Sequence, residues 1–284
     1  MISRRRLLAL TALAGAAAGC SQPSGTSLER ARAVGAIRIG ISGEQPYSYT
    51  APDGSVTGAQ PEVARAVLAR IGVPGIEAVQ VPFHDLVPRL RDGQFDLIAA
   101  GTTITPERCR AVAFTRPDFV APSAFLVRRG NPHRIDSFRD VARTGIRLAV
   151  LAGATEIDYA RAAGVPDDRL VIVDTQMNLF RQVAEDRVPA GALTRISLLD
   201  VLRRNPGSGL AVTEGVEPRI GGRPVVPAAA FAVRIGEDDL LAAFNPALAE
   251  LQASGEWLRI TEPFGFGPEN LPPRDLTTDE LCRA

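Results

Sequence analysis

The chain alternates short apolar runs with segments whose apolar positions recur at helical spacing. In its first part this pattern predicts, in chain order, a strand at 37–41, a helix at 61–72, a strand at 76–83, a short helix, and strands at 96–101 and 111–115. Such alternation favours an α/β fold with a mainly parallel sheet and helices on both faces. Because the carboxyl ends of parallel strands share one edge, we expect the segments GEQPY, VPF and GTT to lie along that edge.

The same rhythm returns after the extended segment 124–132. The pattern there predicts alternating helices and strands at 137–143, 147–153, 154–164, 170–174, 177–187, 191–193 and 196–204, then a long strand at 224–236 and helices over 238–257. The apolar segments 124–129 and 229–235 are candidates for two crossings between the units. We therefore predict two lobes, formed by residues 34–126 plus 232–284 and by residues 127–231.

The amino terminus has the layout of an export signal. Three arginines at 4–6 precede an apolar stretch of about a dozen residues, which is too short for a membrane span, and small residues then lead to Cys20. The AAGC end resembles a bacterial lipobox, which implies a signal peptide at 1–19, a lipidated Cys20 and a tether at 20–33. SRRRLL also resembles a twin-arginine signal, and an Arg-rich Sec signal explains it equally well because the chain contains no lysine. These features predict a lipid-anchored protein in the periplasm or at the outer face of the cytoplasmic membrane.

Composition narrows the choice of partners. The roughly 260 residues after the signal suffice for two domains with cores. The formal net charge is +0 at pH 7, so neither a nucleic acid nor an anionic membrane surface is an expected partner. His84 and His133 lie far apart without other ligand types at metal-binding spacing, and we expect no metal and no cofactor. Once Cys20 is lipidated, Cys109 and Cys282 remain, and an even number of cysteines in an oxidising compartment predicts a disulfide between them.

Several segments, in this order and spacing, resemble type II solute-binding proteins of ABC importers, in the amino-acid-binding branch. The matching segments are GEQPYSYTAPDGSVTGAQPEVARAVLARIG, FHDLVPRLRDGQFDLIAAG, TITPERCRAVAFT, the AFLV crossing and AELQASGEWLRITEPFGF. ITPERC, AGVPDDRLV, EPFGF and TTDELC are similar to ectoine and hydroxyectoine binding proteins of that branch. The resemblance implies a two-lobed periplasmic binding protein fold of type II, a small zwitterionic ligand, an ABC permease as partner and a monomer.

The resemblance also implies that the segment GTTITPER binds the carboxylate of the ligand. Thr103 would donate from one side, and Arg108 would close a bidentate fork. A guanidinium suits this role because it is planar, always charged and presents parallel N–H donors. In the second lobe Thr155 would be a second clasp on the carboxylate, although a threonine at a helix start also suits an ordinary cap.

Three residues would hold the cationic end of the ligand. Glu44 matches the position that takes the amidinium in the ectoine subfamily. Tyr47 and Phe83 match aromatic walls of the binding site, where cation–π attraction adds to apolar contact.

Two positions depart from the patterns. Thr103 stands where the ectoine subfamily usually has another aromatic residue, which favours a general amino-acid binder. Thr194 stands where amino-acid binders generally place an aspartate for the α-ammonium group, which favours ectoine unless Glu44 or Glu156 supplies that charge.

Two classes of function remain open. The sequence favours capture of ectoine, hydroxyectoine or a similar compatible solute, with a polar amino-acid-binding protein as the alternative of the same class. The alternative from another class is a periplasmic enzyme of the cyclohexadienyl dehydratase type. The sequence shows no paired acid and base beyond Glu44, no supported Ser/His/Asp set and no nucleotide loop, so no catalytic residue is expected.

The lipid anchor leads to a direct prediction. Replacing the lipidated residue, Cys20→Ala, should release the protein from membranes into the soluble fraction, because the attached acyl chains supply the membrane affinity. Fractionation followed by immunoblotting measures this. Unchanged partition of the variant into membranes would contradict the assignment.

Overall fold

The computed structural model describes residues 25–283. The predicted signal peptide at 1–19 and Cys20 lie outside the described residues. The helices are α1 Ser27–Val34, α2 Ala59–Arg70, α3 Leu86–Arg91, α4 Pro106–Cys109, α5 Phe138–Thr144, α6 Glu156–Ala162, α7 Gln176–Ala184, α8 Arg195–Arg204, α9 Asp238–Ala253, α10 Glu256–Thr261 and α11 Thr278–Arg283. The strands are β1 Ala36–Ile41, β2 Tyr49–Thr50, β3 Val56–Thr57, β4 Gly75–Gln80, β5 Leu97–Thr103, β6 Ala113–Phe114, β7 Phe119–Val120, β8 Ser123–Arg128, β9 Leu148–Leu151, β10 Leu170–Val173, β11 Ala190–Thr194, β12 Leu210–Val212, β13 Arg219–Ile220, β14 Arg223–Pro224 and β15 Ala228–Val233.

Two sheets organise these elements into two lobes, as the alternating pattern predicted. The first sheet has the order β4-β1-β5-β15-β6, with β7 also paired to β15. Its strands β4, β1 and β5 are parallel, whereas β15 runs antiparallel to β5. The second sheet has the order β10-β9-β11-β8-β12, in which β10, β9 and β11 are parallel and β8 is antiparallel to β11. Each sheet therefore has three parallel strands on one side, and antiparallel pairing completes the sheet on the other side.

The crossings between the sheets differ from the predicted lobe boundaries. Strand β8 pairs along its length with β11 and begins at Ser123, so residues 124–126, assigned to the first lobe, belong to the second sheet. Strand β15 pairs with β5 and β6, so residues 228–231, assigned to the second lobe, belong to the first sheet. Both crossings lie earlier in the chain than predicted, at Pro122 and Pro227, just before β8 and β15. Proline suits these positions because it has no N–H with which to continue a sheet ladder.

The predicted tether at 20–33 is wrong for its second half, which forms α1. The hydroxyl of Thr26 accepts a hydrogen bond from the backbone N–H of Glu29, and the Glu29 carboxylate accepts one from the Thr26 N–H, a complete capping box. Leu28 and Ala31 are buried against the first lobe. The long strand predicted at 224–236 is also shorter, since its start belongs to the β13–β14 hairpin.

Cys109 and Cys282 form the predicted disulfide, with their Cα atoms 5.7 Å apart. The bond joins α4, immediately after Arg108, to the carboxy-terminal helix α11, whose Leu281 is buried. Because 173 positions separate the two cysteines, closing the loop should stabilise the fold by about 5 kcal/mol in the chain-entropy account. No helix within residues 25–283 has the length and apolar character needed to cross a membrane.

The disulfide is tested by the double variant Cys109→Ser with Cys282→Ser. The variant should lose roughly 2–5 kcal/mol of unfolding free energy because its unfolded chain is no longer cross-linked. Chemical denaturation measures the loss, and the reduced wild-type protein should match the double variant. Equal stability of the variant and the oxidised wild-type protein would contradict a stabilising role.

Candidate functional site

The carboxyl ends of the parallel strands face each other across the gap between the lobes. A small cavity of about 20 Å³ lies there, and its lining includes all seven residues predicted to bind ligand: Glu44, Tyr47, Phe83, Thr103, Arg108, Thr155 and Thr194. The lining also includes Glu156, which the sequence offered only as an alternative counter-ion, and four residues that sequence reasoning did not assign to the site: Gly101, Leu151, Ala154 and Leu193. The loops after β1, β4 and β5 supply the first lobe's part, and the loops after β9 and β11 supply the second lobe's part.

Arg108 is positioned by the first turn of α4. The hydroxyl of Thr105 caps this helix by accepting a hydrogen bond from the Arg108 N–H, and Pro106 occupies the first turn. Its guanidinium donates to the carbonyl oxygen of Thr103 at 2.7 Å and to that of Gly153 at 2.8 Å. Gly153 belongs to the second lobe, so one side chain bridges the two lobes at the cavity.

Phe83 lies beside this arginine. It begins a short 3₁₀ turn, Phe83–Asp85, just after β4. The guanidinium carbon of Arg108 is 5.6 Å from the centre of the Phe83 ring, within cation–π range. The ring predicted to face a ligand cation therefore also contacts the arginine predicted to hold the ligand carboxylate.

Tyr47 lines the cavity and forms a hydrogen bond to the second lobe. Its ring is buried and stacks on Phe119, with the ring centres 5.4 Å apart. Gly101, at a φ of 70°, leaves room for this ring, since a Cβ there would lie 3.0 Å from it. The hydroxyl donates to the Thr194 hydroxyl across the cleft at 2.7 Å. The structure thus places Tyr47 as an inter-lobe hydrogen-bond donor, in addition to the aromatic wall predicted from the sequence.

Glu44 lies at the centre of a buried polar network. Its side chain is 7% exposed, and the hydroxyl of Ser197 in α8 donates to it at 2.7 Å. Gln176 in α7 donates to both the Ser197 hydroxyl and the carbonyl oxygen of Gln45, each at 2.7 Å. Burial raises the pKa of Glu44 to about 7, and the nearby Glu156 adds to the increase. Ser197 and Gln176 were missed because they fit ordinary helical positions.

Thr155 and Glu156 bring the second lobe's helix α6 to the cavity. Thr155 is buried at the amino-terminal cap of α6, and its side chain makes no capping hydrogen bond, so it does not serve as an ordinary cap. Glu156 is 2% exposed and accepts a hydrogen bond of 2.6 Å from the hydroxyl of Ser123, the first residue after the crossing. Burial raises the pKa of Glu156.

The chemistry of the lining is that of a binding site for a charged organic solute. It combines a guanidinium, two buried carboxylates, hydroxyl groups and an aromatic ring. Among residues 25–283, no cluster of three or more His, Cys, Asp or Glu side chains is arranged to hold a metal ion. Two α/β lobes that enclose such a cavity at their strand ends define a two-lobed solute-binding protein.

Comparison with known proteins gives the family. Residues 37–268 match the bacterial extracellular solute-binding proteins, family 3. The chain belongs to this family, in agreement with the resemblance carried by its motifs.

Individual relatives agree with this assignment. The chain is 34% identical to a probable amino-acid ABC transporter periplasmic-binding protein of Sinorhizobium fredii over 259 residues, which cover 90% of this chain and 86% of the relative. It is 29% identical to the L-arginine-binding protein of Pseudomonas aeruginosa over 80% of this chain and 87% of the relative. The crystal structure of EhuB in complex with hydroxyectoine has a TM-score of 0.81 at 32% identity and covers 90% of this chain and 97% of EhuB. The chain is thus a solute-binding protein of the same family as these transport proteins.

The buried Glu44 makes stability depend on pH. Because the pKa of Glu44 rises from an ordinary 4.5 to about 7 on folding, its contribution is full below about pH 4.5 and is lost as the pH rises through about 7. Relative to the Glu44→Gln variant, wild-type protein should lose up to about 3 kcal/mol of unfolding free energy across this range. Chemical denaturation of both proteins at several pH values measures the difference.

Comparing the wild-type protein with Glu44→Gln cancels the effect of other titrating groups on the free energy of unfolding. Burial also raises the pKa of Asp118, to about 6, but Asp118 is present in both proteins and cancels in the difference. If the free energy of unfolding depends on pH in the same way in the wild-type protein and Glu44→Gln, folding does not raise the pKa of Glu44.

Proposed function

We propose that this protein is the extracytoplasmic substrate-binding component of an ABC importer and captures a small zwitterion, with ectoine or hydroxyectoine as the favoured ligand. The family and the amino-acid ABC transporter relative support the transport role. The hydroxyectoine complex of EhuB supports the choice of ligand. The protein would act as a lipid-anchored monomer outside the cytoplasmic membrane and deliver its ligand to a permease.

The observation that carries the proposal is the position of Arg108. Its two terminal nitrogens already donate to carbonyl oxygens, one from each lobe, at the wall of a cavity between the lobes. A ligand carboxylate would exchange these neutral acceptors for charge-assisted, bidentate ones, which are stronger. The side chain of Thr155, which makes no capping hydrogen bond, would add a donor from the second lobe.

The cationic end of the ligand would lie against Glu44. This carboxylate is buried with one hydroxyl donor, so a delocalised cation that enters the cleft would relieve the cost of its charge. Phe83 would cover the cation from one side. Thr194 offers no charge at the position where amino-acid binders carry an aspartate, and its hydroxyl accepts a hydrogen bond from Tyr47.

The second candidate ligand is a polar amino acid, and Glu156 is the observation that favours it. This buried carboxylate lines the same cavity and could receive the α-ammonium group in place of the missing aspartate. The L-arginine-binding relative supports the same alternative.

A ligand screen decides between the two candidates. Thermal-shift measurements with ectoine, hydroxyectoine, proline, betaine and polar amino acids should show the largest stabilisation with ectoine or hydroxyectoine, since a ligand stabilises the state that binds it. Stabilisation by a polar amino acid alone would select the second candidate. Tight binding of a ligand without a carboxylate would reject both.

Arg108→Ala tests the carboxylate site. Calorimetry with the best ligand from the screen should show binding weakened by about 2–5 kcal/mol, because the ligand carboxylate is then buried without its ionic partner. Arg110→Ala is the matched control, since Arg110 is exposed and lies two residues further along the same segment. Normal affinity in Arg108→Ala would overturn the site, and equal losses in both variants would indicate a general disturbance of the turn.

A further inference from the structure

The cavity between the lobes has an unequal number of positive and negative groups. Its lining contains one guanidinium, Arg108, and two carboxylates, Glu44 and Glu156. The two carboxylates are 7% and 2% exposed, so water screens them little. Among residues 25–283, no ion pair joins Arg108 to either glutamate, since its guanidinium donates to backbone carbonyls instead.

The surroundings do not correct this imbalance. The nearby cations outside the lining are paired elsewhere: Arg204, which donates to Gln176, pairs with Asp200, and Arg195 pairs with Glu214. The side chains of Asp158 on α6 and Glu107 on α4 add negative charge around Arg108. The phenol groups of Tyr159 and Tyr47 are neutral at physiological pH, because burial raises the pKa of Tyr159 to about 12 and that of Tyr47 well above its ordinary value. His84 packs its Cβ close to Gly153 at the edge of the cleft, and it lines the neighbouring cavity rather than this one.

A serine hydroxyl, which is a neutral donor, holds each glutamate. Ser197 donates to Glu44 at 2.7 Å, and Ser123 donates to Glu156 at 2.6 Å. A hydroxyl group stabilises a carboxylate but does not cancel its charge, and an uncompensated buried charge is costly. A ligand carboxylate on Arg108 would use the only guanidinium of the lining, so both glutamates would still need positive charge.

We infer that Glu156 determines specificity by making this cleft require an excess of positive charge. A ligand with one carboxylate and two cationic groups binds with both glutamates ionised, whereas a zwitterion with a single cationic group binds together with one proton. The inference rests on the proposed function, because it uses Arg108 as the carboxylate site. It goes further by stating how the net charge of a ligand determines whether a proton binds with it.

The proton requirement gives the zwitterion a distinctive pH dependence. A glutamate whose pKa is higher in the closed complex than in open, solvated protein favours binding at low pH and opposes it as the pH rises. The raised pKa values of Glu44 and Glu156 in this closed arrangement have the direction that the inference requires. A ligand that brings its own second cation has no such dependence.

The test uses ectoine as the zwitterion and L-arginine as the ligand with two cationic groups. Calorimetry of wild-type protein at about pH 6.5 in two buffers of different ionisation enthalpy should show uptake of about one proton with ectoine and none with arginine. Between about pH 5.5 and about pH 7.5, ectoine should bind at least about tenfold more weakly at the higher pH, and arginine should keep its affinity.

Glu156→Gln supplies the second measurement. Removing the extra negative charge should abolish the proton uptake and shift the ratio of arginine to ectoine affinity by about tenfold or more towards ectoine. Asp168→Asn is the control, since it removes one exposed carboxylate from the second lobe away from the cavity lining, and it should leave the ratio unchanged.

The outcomes separate this inference from the proposed function. Proton-neutral binding of ectoine together with an unchanged ratio in Glu156→Gln would overturn the inference and leave the binding role intact. If Glu156→Gln does not fold, the proton count of the wild-type protein decides alone. If neither ectoine nor arginine binds, the proton count and the affinity ratio are measured with a ligand of zero net charge and a cationic ligand from the screen. Normal binding by Arg108→Ala would independently reject the proposed carboxylate site.

Discussion

The guanidinium of Arg108 donates a hydrogen bond to each lobe, and several parts of the structure position it and its two acceptors. The strand β5 delivers the Thr103 carbonyl, and the loop after β9 presents the Gly153 carbonyl from the other side. A capped single turn fixes the arginine backbone, and the disulfide at the next residue fastens that turn to the carboxy-terminal helix. Because guanidinium bonds are directional and charged, small displacements of either lobe change them markedly. The same charged side chain therefore joins the lobes and supplies the positive charge of the site.

A second contact between the lobes has a different character. Ser197 and Gln176 from the second lobe donate hydrogen bonds to the loop that carries Glu44, and this network is largely buried. Such networks favour one arrangement over others because any slip leaves a buried polar atom without a partner. The arginine and this network lie on different strand ends, so together they define how one lobe sits on the other.

Sequence reasoning was most successful where local pattern and topology agree. The carboxyl ends of strands in a parallel sheet share an edge, so the sequence alone predicted that the distant loops of Glu44 and Arg108 lie close together. It failed where partners are remote: Ser197 is 153 residues from Glu44, and nothing in its helix distinguishes it from a surface serine. It also misplaced the crossings, because apolar strands resemble one another and only the pairing shows which sheet each belongs to. Helix α1 was missed although Thr26 and Glu29 have the spacing of a capping box.

The two crossings have a mechanical consequence. Pro122 and Pro227 sit in neighbouring connections, and the N–H of Ala121 donates to the carbonyl of Pro227 at 3.0 Å, so the two strips of chain are fastened side by side. Two adjacent connections that are joined in this way can bend together, and they oppose sliding or twisting of one lobe against the other. We therefore expect the lobes to move mainly by rotation about an axis along these two connections. The cleft would then open on the side away from that axis, and a solute would enter and leave there.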